Sequence, residues 1–403
     1  MSAFDAKLRA RLDARKAEHL YRVRRVQDSP QQPEVVSDGK RLLAFSSNDY
    51  LGLANHPELI AAFKRGLDTY GLGGGASHLV AGHSRAHHEL EEELAAFTGR
   101  SRALVFSSGF MANVGVLAAL AGKQDLVFED RLNHASLLDG GLNSGAEFKR
   151  YPHLDMPKLA TLLASIGTQG QRFIVSDGVF SMDGDVAPLG DLLALAGKHE
   201  AVVMLDDAHG FGCLGSNGGG LVEAAREQGV DTSEENLAVL VGTFGKAFGT
   251  AGAFVAGSEE LIETLVQFCR PYIYTTAMPP ALAEATRCSL RLVQQDGWRR
   301  AHLQELITRF RAGCAELKLT LTDSHTPIQG LLLGAAETAI EFSRQLEQRG
   351  ILVGAIRPPT VPAGTARLRI SFSAAHTSEH VAQLLDALAE IAPTLLRDEA
   401  ARA

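Results

Sequence analysis

Lys246 stands in the stretch VGTFGKAFG (Val241 to Gly249), among three glycines and two phenylalanines. Small neighbours let a ligand approach the amine, and Phe244 and Phe248 would thin its hydration. Desolvation lowers the pKa of an ammonium and frees its lone pair for attack on a carbonyl. Imine formation is the chemistry this implies, and a solvated lysine in a glycine loop is the alternative. A second group lies in DDAHG, where Asp206 and His209 are three apart as an apolar run gives way to a turn. Such a pair suits a metal, a catalytic dyad or simple turn capping, and no third ligand at a recognisable spacing supports the metal. A third group is SSGF (Ser107 to Phe110), which follows RALVF and opens a helix beginning around Met111. The N–H groups of a glycine-softened helix start can hold a phosphate. The serine there serves equally as an ordinary N-cap.

The elements that must position these groups are legible as a pattern. From about residue 46 to 290, short apolar runs alternate with helical stretches: RALVF, DLVFED, RFIVSDG, AVVMLDDAHG, AVLVGTF and GAFVAG. That alternation predicts an α/β domain, a mostly parallel sheet sandwiched by helices. In such a sheet ligands gather beyond the carboxyl ends of the strands, and each candidate group directly follows a run. Ahead of this region, Phe4, Leu8 and Leu12 recur every four residues. They predict an amphipathic helix that continues to DSPQQP, where Pro30 and Pro33 break it, so residues 1–45 are expected to form a helical arm. Beyond a long helical region around 280 to 318, the shorter strands IQGLLLG and RLRISFS appear with further helices. Residues 291–403 are therefore expected to form a smaller C-terminal α+β domain.

Composition removes several function classes. Hydrophobic residues make up 45% of the chain and charged residues 21%, which fits neither a disordered nor a membrane-embedded protein. The formal charge of −8 offers nucleic acid no general attraction. In the N-terminal arm Arg9, Arg11, Arg15, Lys16, Arg22, Arg24 and Arg25 alternate with Asp5, Asp13 and Glu18, the pattern of a solvated helix face. Cys213, Cys269, Cys288 and Cys314 lie far apart with no CxxC pair, which predicts neither a zinc site nor a disulfide framework. With no apolar leader in the first thirty residues, a soluble protein of the cytoplasm is expected, with no metal, no nucleic acid and no membrane among its partners.

One cofactor needs an imine-forming lysine, a carboxylate opposite a pyridinium nitrogen and a phosphate cradle together, namely pyridoxal 5′-phosphate (PLP). Further stretches carry a family resemblance: FSSNDYLGL (45–53), GLGGGASHLVAGH (71–83), SSGFMAN (107–113), DRLNHASLLDG (130–140), DGVFSMDGD (177–185), DDAHGFG (206–212), GTFGKAFG (242–249), YTTAMPP (274–280) and IRPPTVPAGTARLRISFSAAHT (356–377). Over nearly its whole length the chain resembles the α-oxoamine synthases, fold-type I PLP-dependent transferases, and most closely their biotin-pathway branch. It departs from many relatives at Ala76, where they have glycine.

The resemblance implies roles residue by residue. Lys246 would carry the cofactor as an imine and Asp206 would partner the ring nitrogen. His209 would hydrogen-bond the phenolic oxygen, His134 would stack on the ring and border the substrate, and Ser181 would lie against the cofactor. Gly109, Phe110 and Thr243 would hold the phosphate, with Thr275 or Thr276 of a neighbouring subunit in a homodimer. Arg369 would anchor the carboxylate of the amino acid. Arg22 and Arg357, with Thr360 close by, would read a distal carboxylate on the acyl chain. The implied reaction joins L-alanine to a pimeloyl thioester, on coenzyme A or a carrier protein, with loss of carbon dioxide and thiol. Lys246, once displaced by the amino acid, would remove its α-proton. Acetyl, succinyl or long fatty acyl donors are the alternatives within the family, and an aminotransferase or aldolase-type lyase is the alternative outside it.

Overall fold

In the computed structural model of the chain, which describes residues 2–18 and 20–400, helix α1 (Ala3–Ala17) comes first. The Ser2 hydroxyl caps it by accepting the Asp5 N–H at 3.1 Å, and Asp5 answers in a capping box. The helix stops at Ala17 and does not continue to Pro30. Phe4 is 68% exposed and Leu12 49%, so the apolar stripe has no surface of this chain to pack on. Propensity alone sustains a short helix poorly in water. Arg22 consequently lies in an irregular segment rather than at a helix end.

The second half of the expected helical arm is a hairpin. Strands β1 (Glu34–Ser37) and β2 (Lys40–Ala44) pair around Asp38 and Gly39, both with positive φ (50° and 74°). Two such residues in succession are what a tight hairpin turn requires, and Asp-Gly supplies them.

The large sheet is built from β3 (Arg102–Phe106), β4 (Leu126–Asp130), β5 (Glu147–Tyr151), β6 (Arg172–Asp177), β7 (Ala201–Asp206), β8 (Val239–Thr243) and β9 (Ala253–Gly257). Its order is β3-β9-β8-β7-β6-β4-β5, and only β9 runs against its neighbours. Successive side chains of a strand point to opposite faces, and here both faces are covered. Val203 and Leu205 of β7 enter the core on one side while Met204 enters the other; Val105 and Phe106 of β3 divide likewise. This accounts for the continuous apolar runs of the sequence.

Two three-stranded sheets complete the fold. β10 (Ile328–Gly334), β12 (Gly354–Ile356) and β13 (Ala366–Ser371) form one, with β13 central. The other adds β11 (Ile351–Leu352) in parallel to β2, so the hairpin of residues 34–44 pairs with the C-terminal part of the chain. The helical region expected over 280–318 is two helices, Pro280–Gln295 and Gly297–Glu316, and the boundary expected at 290 falls inside the first. Among the described residues, no helix is long and apolar enough to cross a membrane. All four cysteines are free and buried.

Candidate active site

The carboxyl ends of β3, β6, β7 and β8 converge on one cavity of about 150 Å3. It is lined by Gly109, Phe110, His134, Ser181, Asp206, His209, Thr243 and Lys246, all expected from the sequence, together with Asn113, Ser136 and Asp177. A larger cavity of about 740 Å3, bordered by Tyr70, Glu93 and Arg287, contains none of these groups.

Asp206 ends β7. Its Oδ2 accepts Asn113 Nδ2–H at 2.6 Å and its Oδ1 accepts the Ala208 N–H at 3.0 Å. Asn113 uses its other N–H on Ser136 Oγ at 2.9 Å, and Ser136 Oγ lies 2.7 Å from His134 Nδ1. His134 Nδ1 accepts the Ser136 backbone N–H, so it carries no proton, the Ser136 hydroxyl donates to it and the ring proton is on Nε2. Burial, first of all, lowers the His134 pKa, with Lys246 adding to the effect against Asp206. His134 is also the N-cap of helix Ala135–Asn143, accepting the Ser136 N–H at 3.3 Å, so turn capping and a place in the site coexist. Its ring stands edge-on to Phe110, centroids 6.5 Å apart.

Lys246 lies in the loop after β8. Burial lowers its pKa, and Arg369 pushes the same way while Asp206 and Asp177 push it up. No hydrogen bond or ion pair holds its Nζ among the described residues. Phe244 and Phe248 do not line the cavity. They are fully buried in an aromatic cluster with Phe254 and Phe211, so they anchor the loop from the core side.

At the helix start, Ser108 Oγ accepts the Met111 N–H at 3.3 Å. The N–H groups of Gly109 and Phe110 have no acceptor among the described residues, as expected of first-turn donors. A Cβ on Gly109 would stand 4.0 Å from Thr243 Oγ1 and take up the space beside these donors. Thr243 Oγ1 itself donates to the Gly252 carbonyl at 2.9 Å. An unpartnered lysine amine, a carboxylate held by two N–H donors and an open helix start meet the three demands of PLP, and the residues present fit that cofactor.

Arg369, on β13, reaches the same place from the C-terminal part. Its Nε donates to the Ser181 carbonyl at 2.6 Å, Nη1 to Ser371 Oγ at 2.8 Å, and Nη2 to Asn48 Oδ1 at 3.1 Å and Tyr50 Oη at 3.3 Å. One N–H on Nη1 is left, so a carboxylate meets a single free donor and the positive charge rather than an open bidentate fork.

Arg22, Arg357, Thr360, Thr275 and Thr276 do not line this cavity. Arg357 Nη2 donates to the Tyr21 carbonyl at 3.2 Å, which puts its guanidinium next to Arg22. Lys246 also borders a second cavity of about 430 Å3, which shares Ser46 and Leu352 with a third of about 460 Å3 bordered by Tyr21 and Arg357. The cavities run in sequence from Asp206 past Lys246 to Arg357, with Arg25 also on the border of the third, and Arg22 lines none of the three. Thr276 bridges to Ser77 and its carbonyl accepts from Ser107 Oγ at 3.2 Å. Ala76, between them, has no positive φ, so its departure from glycine strains nothing.

Outside the site, His78, His83 and His87 bring ring nitrogens within 4.8 Å of one another. His87 has none to spare: Nε2 lies 2.8 Å from the Met278 carbonyl and Nδ1 accepts the Ser84 N–H at 3.1 Å. His87 is thus committed to the capping box of helix Arg85–Thr98, while His78 and His83 face each other with Nδ1 atoms 3.1 Å apart.

A family model described as aminotransferase class I and II matches residues 40–388. The chain is 63% identical over 383 residues to the 8-amino-7-oxononanoate synthase of Stutzerimonas stutzeri, covering 95% of this chain and 96% of that one. To the enzyme of the same name in Pseudomonas aeruginosa it is 59% identical, covering 95% and 94%. Among solved structures, serine palmitoyltransferase of S. paucimobilis with a bound PLP–myriocin adduct superposes with a TM-score of 0.90 at 31% identity, covering 98% and 99%. The 8-amino-7-oxononanoate synthase of Francisella tularensis superposes at 0.76 with 34% identity, covering 87% and 97%. At such identity over nearly the whole of both chains, the protein belongs to the 8-amino-7-oxononanoate synthases, PLP-dependent acyltransferases of biotin biosynthesis within the aminotransferase class I and II family.

Proposed function

We propose that the chain condenses L-alanine with a pimeloyl thioester, releasing carbon dioxide and thiol. The observation that carries this reading is the unpartnered Lys246 amine, placed where the Asp206 cavity meets the cavities leading to Arg357. PLP, when bound, supplies the electron sink that stabilises negative charge on the α-carbon of the amino acid. Lys246, its pKa lowered by burial, is the nucleophile that carries the cofactor and then the base that moves the α-proton. Asp206 would hold a proton at the ring nitrogen, with Asn113 and the Ala208 N–H fixing the carboxylate. The free N–H groups of Gly109 and Phe110 would receive the phosphate, beside Thr243. His134 would cover the ring, Ser181 would border it, and the charge of Arg369 would draw the amino acid carboxylate.

The acyl chain has the two further cavities to occupy. Arg22 has no partner among the described residues and Arg357 spends one N–H on Tyr21, so both have donors left for a distal carboxylate, with Thr360 in the same turn. Arg25, which borders the third cavity, has its charge engaged by Glu347. We read the chain as an arm, a large cofactor-binding part and a small C-terminal part that delivers Arg369 and Arg357.

A homodimer is part of the same proposal. Val80, Leu72 and Tyr274 are 80%, 76% and 71% exposed, and Phe110 at the cavity is 48% exposed. Ser107, Ser77 and Thr276 tie their segments together, so the patch is continuous with the site. A second copy covering it would bring Thr275 or Thr276 to the phosphate of its neighbour. The buried thiols suit a reducing, cytoplasmic setting.

The test is thiol release from pimeloyl-CoA, pimeloyl-carrier protein, heptanoyl-CoA, acetyl-CoA, succinyl-CoA and palmitoyl-CoA, each with alanine, glycine or serine. Alanine with a pimeloyl donor should give the highest kcat/KM. A preference for serine with palmitoyl-CoA would transfer the protein to the activity named for its structural neighbour. Sedimentation that finds only monomers in cofactor-loaded protein would remove the dimer.

A further inference from the structure

We propose that Tyr50 is a positioning residue whose hydroxyl donates to His209 Nδ1 and so keeps the imidazole proton on Nε2, facing the cavity. The inference rests on reading His209 as the donor to the phenolic oxygen of the cofactor, and it says what makes that donor available. Tyr50 is fully buried beside Asn48, with its hydroxyl 2.7 Å from His209 Nδ1. Two other groups reach the same oxygen, Arg369 Nη2 at 3.3 Å and Asn48 Oδ1 at 3.2 Å.

The proton count decides the direction. Arg369 has no acceptor, so Tyr50 Oη must accept from it. The one phenolic proton then goes either to His209 at 2.7 Å or to Asn48 at 3.2 Å, and Asn48 Oδ1 already accepts from Arg369 Nη2 at 3.1 Å. If His209 Nδ1 carried the proton instead, Tyr50 Oη would take two donors, one of them cationic, and would keep only the 3.2 Å contact to Asn48 as an outlet. The guanidinium polarises the phenol towards donating, and burial pushes the Tyr50 pKa up to about 12, so the proton stays with the pair. Burial, with Lys246 and Arg369 nearby, holds the pKa of His209 well below the usual histidine range. A neutral ring has a single N–H. With Nδ1 accepting from Tyr50, that N–H is on Nε2, for which no partner exists among the described residues.

The experiment uses the full chain with 15N-labelled histidine, without and with PLP, and assigns His209 among the fourteen histidines by subtracting the spectrum of His209→Asn. In the wild-type protein His209 Nδ1 should be an unprotonated, hydrogen-bonded nitrogen and Nε2 a protonated one, before any cofactor is added. Tyr50→Phe, which keeps the ring, should remove the hydrogen-bond shift of Nδ1. A protonated Nδ1 in the wild type overturns the proposal, whatever the variant does. In loaded protein, a donor to the phenolic oxygen favours the deprotonated imine, so both His209→Asn and Tyr50→Phe should raise the pH midpoint of the cofactor absorbance by about one unit, tenfold in basicity. An unmoved midpoint in His209→Asn means the reading of His209 is at fault. A midpoint that moves in His209→Asn but not in Tyr50→Phe means Tyr50 does not position it.

Discussion

Asp206→Asn has an outcome that can be worked from the hydrogen bonds around the carboxylate. Both oxygens accept N–H groups, Oδ2 from Asn113 at 2.6 Å and Oδ1 from Ala208 at 3.0 Å. An amide has one oxygen, so in either rotamer its NH2 faces a donor. One buried donor loses its acceptor, which costs about 1–3 kcal/mol, and the urea midpoint of cofactor-free protein should fall accordingly. The catalytic loss is separate. A charge-assisted hydrogen bond contributes about 1.5–3 kcal/mol, so losing the charge opposite the ring nitrogen should slow α-proton removal by at least about ten- to a hundredfold. Imine formation depends on Lys246, and the yellow colour should survive. Exchange of the L-alanine α-proton in deuterium oxide, followed by NMR, reads the step without an acyl donor. Exchange at the wild-type rate in a yellow Asp206→Asn protein would refute the assignment of Asp206 to the ring nitrogen.

Lys246→Ala should bind PLP without borohydride-fixable attachment and lose turnover by several orders of magnitude, because nucleophile and base go together; near-wild-type turnover would end the proposal. Arg22→Ala and Arg357→Ala should each lower kcat/KM for pimeloyl-CoA by about ten- to a hundredfold while sparing heptanoyl-CoA, and equal losses for both donors would show that neither reads the distal carboxylate. His153 lies 2.9 Å from Asp130 Oδ1 and 2.6 Å from Asp185 Oδ2, and although burial is the largest single influence and lowers its pKa, the two carboxylates together raise it to about 9. A raised folded-state value stabilises fully below the unfolded value of about 6.5 and is lost as pH rises through 9, so the advantage of wild type over His153→Gln should shrink across that window by up to about 3 kcal/mol in urea melts. A difference that stays constant from pH 6 to about 9.5 would refute it.

The groups that the sequence made legible share a short tether to a strand end. Ser107, Asp206 and Thr243 follow or end strands whose apolar runs are unmistakable, and Lys246 is three residues further on. Asn113 was missed, although it lies four residues after Gly109 on the same helix and so on the same face. Asp177 was missed too, yet it ends RFIVSD in register with Asp206. Tyr50 had no local signal, because 159 residues separate it from His209 and only tertiary packing joins them. The arm failed differently. Its helical periodicity is genuine up to Ala17, but periodicity says nothing about whether a surface exists to receive the stripe. The Asp38-Gly39 turn between apolar runs was a readable hairpin signal that the helical reading passed over.

Three strand-end aspartates lie on neighbouring strands, Asp130 on β4, Asp177 on β6 and Asp206 on β7, and their surroundings give them different work. Asp130 is spent on His153 and on the N–H groups of Leu132 and Leu154. Asp177 accepts the His134 N–H at 2.8 Å, and burial, then the adjacent Asp206, pushes its carboxyl well above the carboxylate range. Two carboxylates this close cannot both ionise cheaply, and Asp177 is spent on fixing the backbone of His134. Asp206 borders the same cavity with Lys246, and neutral N–H donors orient both of its oxygens. A cation arriving there, such as a protonated ring nitrogen, meets a carboxylate already oriented by Asn113, and the same Asn113 reaches through Ser136 to His134. The proposed contact at the ring nitrogen and the proposed contact over the ring face would thus both depend on one side chain, and Asn113→Leu should disturb both the α-proton exchange rate and the His134 tautomer in a single variant, whereas an effect confined to one of them would separate the two halves of the network.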